Sequence, residues 1–183
     1  MKKILTASVI SMAMATSAMA QSNAQSQDVV VTASVPQECS IEDIADLAFA
    51  SLTINEAPGI DALQLSEFEA AGSQQAWVSC NFNNQLTIST PLPLTSATAA
   101  GLTVSPGSEP FTSTINYGFR AQNYGGGEVV ANSLDRLTAT RSTGPIHRQV
   151  RFSAFVRDDQ NAGARPIAAD DYTATATVEI TTI

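Results

Sequence analysis

Few residues in this chain are equipped for chemistry. Its 183 residues include one histidine and two cysteines. His147 stands between Ile146 and Arg148, outside any HExxH pattern, and no serine occupies a GxSxG elbow. A lone histidine in that setting reads as an ordinary loop or strand residue. Asp158-Asp159 and Asp170-Asp171 are adjacent pairs. Neighbours on an extended chain point to opposite sides, so neither pair is a ready acid/base dyad. The pairs flank the loop 160–169, whose carboxylates could hold a weak calcium ion, but an ordinary solvated turn is the simpler account. Gly125-Gly126-Gly127 lacks the Lys-Ser/Thr of a phosphate loop and reads as a hairpin turn. One histidine and two cysteines are too few ligands for a structural zinc site. The chain is therefore expected to be no enzyme and to carry no cofactor or metal.

The N-terminus indicates the compartment. Lys2 and Lys3 precede an apolar and small-residue stretch from Ile4 to Ala15, and Ala18-Met19-Ala20 suits a signal peptidase. Residues 1–20 read as a secretory signal peptide, too short in their apolar part for a membrane anchor. Residue 21 is Gln, not the cysteine a lipoprotein needs. The mature chain is expected to be exported and soluble, without membrane insertion. In an oxidising compartment Cys39 and Cys80, the only thiols, would pair. Closing a loop of about 42 residues would stabilise the fold by roughly 4 kcal/mol.

Charge narrows the partners. Hydrophobic residues make up 44% and charged residues 14%, which excludes a disordered chain and a coiled coil. Removing residues 1–20 takes both lysines and leaves seven arginines against seventeen acids, a net of −10. Such a surface lacks the basic footprint of a nucleic-acid binder. All ten charges between 21 and 119 are acidic, whereas all seven arginines lie in 120–183. Solvated faces explain this simply; stacking of the acidic part of one subunit on the arginine-bearing part of the next is the sharper reading.

The elements that would position these residues are strands. Residues 21–27 are polar and read as a flexible tail. Val29, Val31, Ala33 and Val35 share one face of a strand that Pro36 ends. Residues 41–49 could be a helical turn or a loop, 52–54 a short strand, and 61–71 a short helix. From Ala76 the β signal sharpens: a strand through Trp77 to Phe82, an Asn83-Asn84 turn, and Leu86–Ser89. Further strands are expected at 102–104, 115–120 and 150–156. In the last segment Tyr172, Ala174, Ala176, Val178 and Ile180 alternate with Thr173, Thr175, Thr177 and Glu179, as in a half-buried antiparallel strand. Seven or eight short strands between Gly, Pro and Asn turns predict an all-β, sandwich-like single domain.

The order of these segments resembles a known family. An alternating strand runs into a cysteine (VVVTASVPQECSI) and a second cysteine follows within a strand (AWVSCNF). Then come INYGF, RFSAFVR, an Ala/Gly/Pro loop and a terminal DYTATATVEI. This pattern resembles the spore coat protein U domain, whose members include pilin subunits of archaic chaperone–usher pili, over roughly residues 28–183.

The resemblance implies an immunoglobulin-like, pilin-type antiparallel β-sandwich that lacks its final strand and is completed by strand donation. It implies as partners a periplasmic pilus chaperone, an outer-membrane usher and neighbouring copies or related subunits, in a cell-surface fibre supporting adhesion or biofilm formation. Val29, Val31, Ala33 and Val35 would be donor-strand anchors or the first strand of the body. Cys39–Cys80 would join the first two strands. Tyr172, Ala174, Ala176, Val178 and Ile180 would line the acceptor groove. The chain departs from many pilins in ending at Ile183 without a nearby C-terminal aromatic residue. A self-complete sandwich binding carbohydrate through Trp77, Tyr117 and Tyr124 is the alternative.

Overall fold

A computed structural model describes residues 27–65, 69–89, 91–107 and 111–183. The expected signal peptide and nearly all of the polar tail lie outside the described residues. The chain divides into two compact units, Met1–Val35 and Pro36–Ile183.

In the first unit, residues 27–35 belong to no strand or helix, and Val29, Val30, Val31 and Val35 are all strongly exposed. The expected strand is thus not formed in the isolated chain. Alternation makes a segment fit for a sheet, but a strand exists only when a neighbour takes up its backbone hydrogen bonds.

The second unit is all-β. In chain order it contains β1 (Cys39–Ile41), β2 (Glu69–Cys80), β3 (Asn84–Ile88), β4 (Leu94–Thr95), a single helical turn α1 (Ala97–Ala100), β5 (Phe111–Thr112) and β6 (Thr114–Ile115). There follow β7 (Gly118–Tyr124), β8 (Gly127–Asn132), β9 (Ala139–Thr143), β10 (Ile146–Val156), β11 (Arg165–Pro166) and β12 (Val178–Thr182). A five-stranded antiparallel sheet runs β1-β2-β10-β7-β8, and a three-stranded antiparallel sheet runs β12-β3-β9. Two short pairs, β4-β6 and the parallel β5-β11, complete the ladders.

The two larger sheets share one core. Ala76 and Val78 of β2, Ala121 of β7, Val150 and Phe152 of β10, and Leu86 and Ile88 of β3 are all fully buried in one cluster. The period of two is plain in β3, where buried Asn84, Leu86 and Ile88 alternate with half-buried Gln85 and Thr87. Each fully buried Val or Leu contributes about 1.5–3 kcal/mol over its exposed state. Buried Asn84 is satisfied by the Tyr124 hydroxyl, which donates to its Oδ1, and by donating to the carbonyls of Phe82 and Gly144. Burial pushes the Tyr124 phenol up to about 12.

Several sequence expectations are corrected. No helix forms over the described residues of 61–71: Leu63 adopts a left-handed φ of 65°, Leu65 bridges to Ile54, and β2 already begins at Glu69. The long β10 recruits residues of low strand propensity, such as Ser73 to Gln75, because it offers them a continuous ladder up to the register shift between Ser153 and Phe155. The Asn83-Asn84 turn does not make a hairpin, since β2 and β3 belong to different sheets. Residues 102–104 form no strand, and 115–120 are split between β6 and β7. Gly125-Gly126-Gly127 does turn the β7-β8 hairpin, with φ of 55° at Gly125 and 77° at Gly126.

Cys39 and Cys80 are bonded, facing each other in the β1-β2 register. Cys80 also pairs with Ile146 of β10, so the crosslink fixes the outermost strand at the end of the ladder. At Gly118 the Phe155 ring lies where a Cβ would stand. Two predictions follow from these contacts. Replacing both cysteines by alanine should cost about 2–5 kcal/mol in urea unfolding. Gly118→Ala should cost about 1–3 kcal/mol by overpacking, read as a fall in melting temperature against the wild-type chain.

Candidate functional site

The C-terminal strand β12 is an edge of the three-stranded sheet. Beyond β12, its upstream residues continue along the same neighbour, but discontinuously. The Ser89 N–H donates to the Thr177 carbonyl at 2.9 Å, and Thr173 and Thr95 exchange both backbone bonds at 3.0 Å. Between these points lie Pro91 and Pro93, which have no N–H to offer, so the ladder lapses opposite 174–176. This is why the alternating run 172–180 yields only part of a five-residue strand and a bridge.

Ladder geometry tells which backbone groups remain. The Ser89–Thr177 bond, and the Ile183 N–H bonding the Asn83 carbonyl at 3.2 Å, put the odd residues of this strand toward β3. Alternation then turns the N–H and C=O groups of Val178, Ile180 and Thr182 to the opposite edge. Among the described residues β12 has a strand neighbour on the β3 side alone.

The strand's side chains match this half-finished state. Tyr172, Ala176, Val178 and Ile180 pack against the core but stay half-buried, and Ala174 is exposed. The sheets are also unequal. β8 lies against β9 and β3 lies over β7 and β8, so the two sheets meet along that side. Counting away from it, the three-stranded sheet runs out at β12, whereas the five-stranded sheet still has two strands left. Residues 42–55 carry no ladder beyond isolated contacts, yet Ile44, Leu47, Phe49, Leu52 and Ile54 pack half-buried against the same core. These side chains reach the core from a segment that, apart from the Ile54–Leu65 bridge, forms no strand.

Asp171 anchors the entry to this strand. Its carboxylate accepts from the Ser96 hydroxyl and, at 3.0 Å, from the Thr98 N–H at the start of α1. Ser96 caps the same turn by accepting from the Ala99 N–H at 2.8 Å. The Ser96 hydroxyl first, then the Thr98 N–H, hold the Asp171 carboxyl below its usual range. Tyr172 donates its hydroxyl to the Ile167 carbonyl at 2.8 Å, and burial, then the Asp171 charge, raises its phenol. This anchor was missed in the sequence because Asp170-Asp171 suggests a loop pair. The Ser-x-x-Ala stretch before it shows a cap only once α1 is known. Among the described residues no group of three or more His, Cys, Asp or Glu could hold a metal ion, and Asp171 serves the α1 cap.

The other singled-out residues separate. Tyr117 and Tyr124 are buried, which removes them from any carbohydrate-binding surface, while Trp77 is 39% exposed. His147 lies exposed on β10 with Nδ1 2.7 Å from the Ser79 hydroxyl. No described helix is long and apolar enough to cross a membrane. No protein-family model matches this chain, and no curated protein matches it either.

Asp171 provides a test. Its folded-state pKa is depressed, so its stabilisation is present above the unfolded-state value and is lost as pH falls through the folded one. Asp171→Ala should lower the melting temperature at neutral pH. The gap to wild type should close progressively as pH falls below the ordinary aspartate pKa of about 4 and through the lower folded-state value.

Proposed function

We propose that this chain is a structural subunit of a secreted cell-surface fibre, assembled by donor-strand exchange through a chaperone–usher pathway. The observation that carries this reading is the outer edge of β12, which among the described residues has no strand neighbour and lies beside half-buried apolar side chains. In this reading the body is an immunoglobulin-like sandwich short of one strand, like the spore coat protein U domain that the sequence resembles. The signal peptide delivers it to the periplasm, a chaperone lends a strand to the edge, and the usher exchanges that strand for a subunit's N-terminal segment.

The donor is the segment around Val29, Val31, Ala33 and Val35, which is exposed and free of any ladder in the isolated chain. Laid along β12, its backbone would bond Val178, Ile180 and Thr182 while its alternate side chains covered the half-buried ones. That is strand addition, with affinity from the main chain and selectivity from alternate side chains. Burying three valines would contribute about 1.5–3 kcal/mol each, enough with the ladder to make the joint long-lived. The function contains no catalytic step and needs no cofactor. An edge left bare would template aggregation, which is the physical reason such a subunit needs a chaperone.

Material sheared from cells making the protein should give a ladder of multiples on unheated SDS gels that collapses to one band on boiling. Val31→Asp should abolish the ladder while the chain is still exported. A single monomer band in both lanes, with reversible melting of the purified chain, would overturn the assignment.

A further inference from the structure

The outer face of the five-stranded sheet, away from the core and from β12, carries a second constellation. On β2, Gln75 and Trp77 point outward, since Ala76 and Val78 between them are buried. On β10, Trp77 pairs with Gln149, Ser79 with His147 and Gln75 with Arg151. These six residues therefore occupy one patch, three rows deep, on a single sheet face.

An exposed tryptophan alone is ordinary. This one is held in place. Its ring stacks on His147 with centroids 4.6 Å apart and planes 21° from parallel, and His147 is fixed in turn through Nδ1 by the Ser79 hydroxyl at 2.7 Å. The result is a pre-oriented aromatic surface, so little side-chain entropy is lost when a ligand lies on it.

The charges around it give the patch a direction. Arg120 is engaged by Ser153 at 2.8 Å and by Glu128 at 3.5 Å. Arg151 is exposed, and no hydrogen bond or ion pair occupies its guanidinium among the described residues. At the other end a depression of about 360 Å³, lined in part by Glu38, Asn81 and His147, adjoins the disulfide. Residues two apart on a strand are about 6.8 Å apart, so His147 and Arg151 span about 13 Å. That length suits a short chain of sugar rings better than a single small ligand.

We propose that this face binds an acidic oligosaccharide, its sugar rings over the Trp77–His147 stack, its hydroxyls on Gln75 and Gln149, and a ring carboxylate on Arg151. Arg presents a planar donor fork matched to a carboxylate, and amides take up sugar hydroxyls in either donor or acceptor sense. Glu38 disfavours the reverse orientation. The site does not depend on the β12 edge, so it exists in the monomer and is repeated along any fibre the chain builds.

Trp77 is the sole tryptophan, so intrinsic fluorescence reads the site directly. Full-length protein recovered from exporting cells, as monomer or fibre, would be titrated with a hexamer of mannuronic acid and with the neutral hexamer of β-glucose. A saturable fluorescence change with the acidic hexamer is expected. Arg151→Ala should weaken it on the order of tenfold with an unchanged melting temperature. Trp77→Ala should abolish retention of the chain in a gel containing the acidic polymer. No saturable change with the acidic hexamer, or binding that Arg151→Ala leaves untouched, would overturn the proposal.

Discussion

Backbone pairing along β10 is the interaction on which the rest of the structure depends. This eleven-residue strand is laddered to β2 along its length and to β7 from Arg151 to Phe155. Its inward side chains Val150, Phe152 and Val156 are fully buried. Burial of that strand is tolerable only because its buried polar groups are paired, and in pairing them β10 fixes the registers of two neighbours at once. The register continues outward to Cys80, which meets Ile146 on one side and the disulfide partner Cys39 on the other. The crosslink therefore closes a geometry that the ladder has already set.

The opposite sheet has no such centre. β3 is its middle strand, with β9 on one side and β12 on the other, and the C-terminal segment 171–182 that ends in β12 is bonded at its two ends. Asp171 and the Thr95–Thr173 bridge secure the entry, and the β3 ladder secures the last five residues. What lies between is interrupted by two prolines that cannot donate. A strand tethered in this way keeps its position while, among the described residues, one edge has no strand neighbour and its apolar face is half-buried. This is the physical condition for accepting another strand without unfolding.

The two faces of the molecule thus differ in kind. The uncovered core side offers main-chain groups and aliphatic side chains, a surface suited to an extended peptide. The outer face of the larger sheet is laddered throughout and offers fixed side chains instead, with Trp77, His147 and Arg151 in adjacent rows. Both readings place function on surfaces that a strand fold itself produces.

Much of this was legible in the chain itself. Alternation at 86–88, 150–152 and 178–180 follows from the two-residue repeat of side chains, a local property that survives in any β context. The glycine run that turns β7 into β8 is local too, because its left-handed φ values need residues without Cβ. The paired cysteines were readable from their number and from the expectation of export. Tertiary structure alone decided which strands are neighbours. It sent β2 and β3 to different sheets across an apparent hairpin turn, buried Tyr117 and Tyr124 while leaving Trp77 outside, and joined Asp171 to Ser96. It also left Val29 to Val35 without a ladder despite their strand pattern. The reason is the same in each case: side-chain periodicity is written residue by residue, whereas backbone hydrogen bonds are chemically alike everywhere. Their partners are chosen only when distant segments pack.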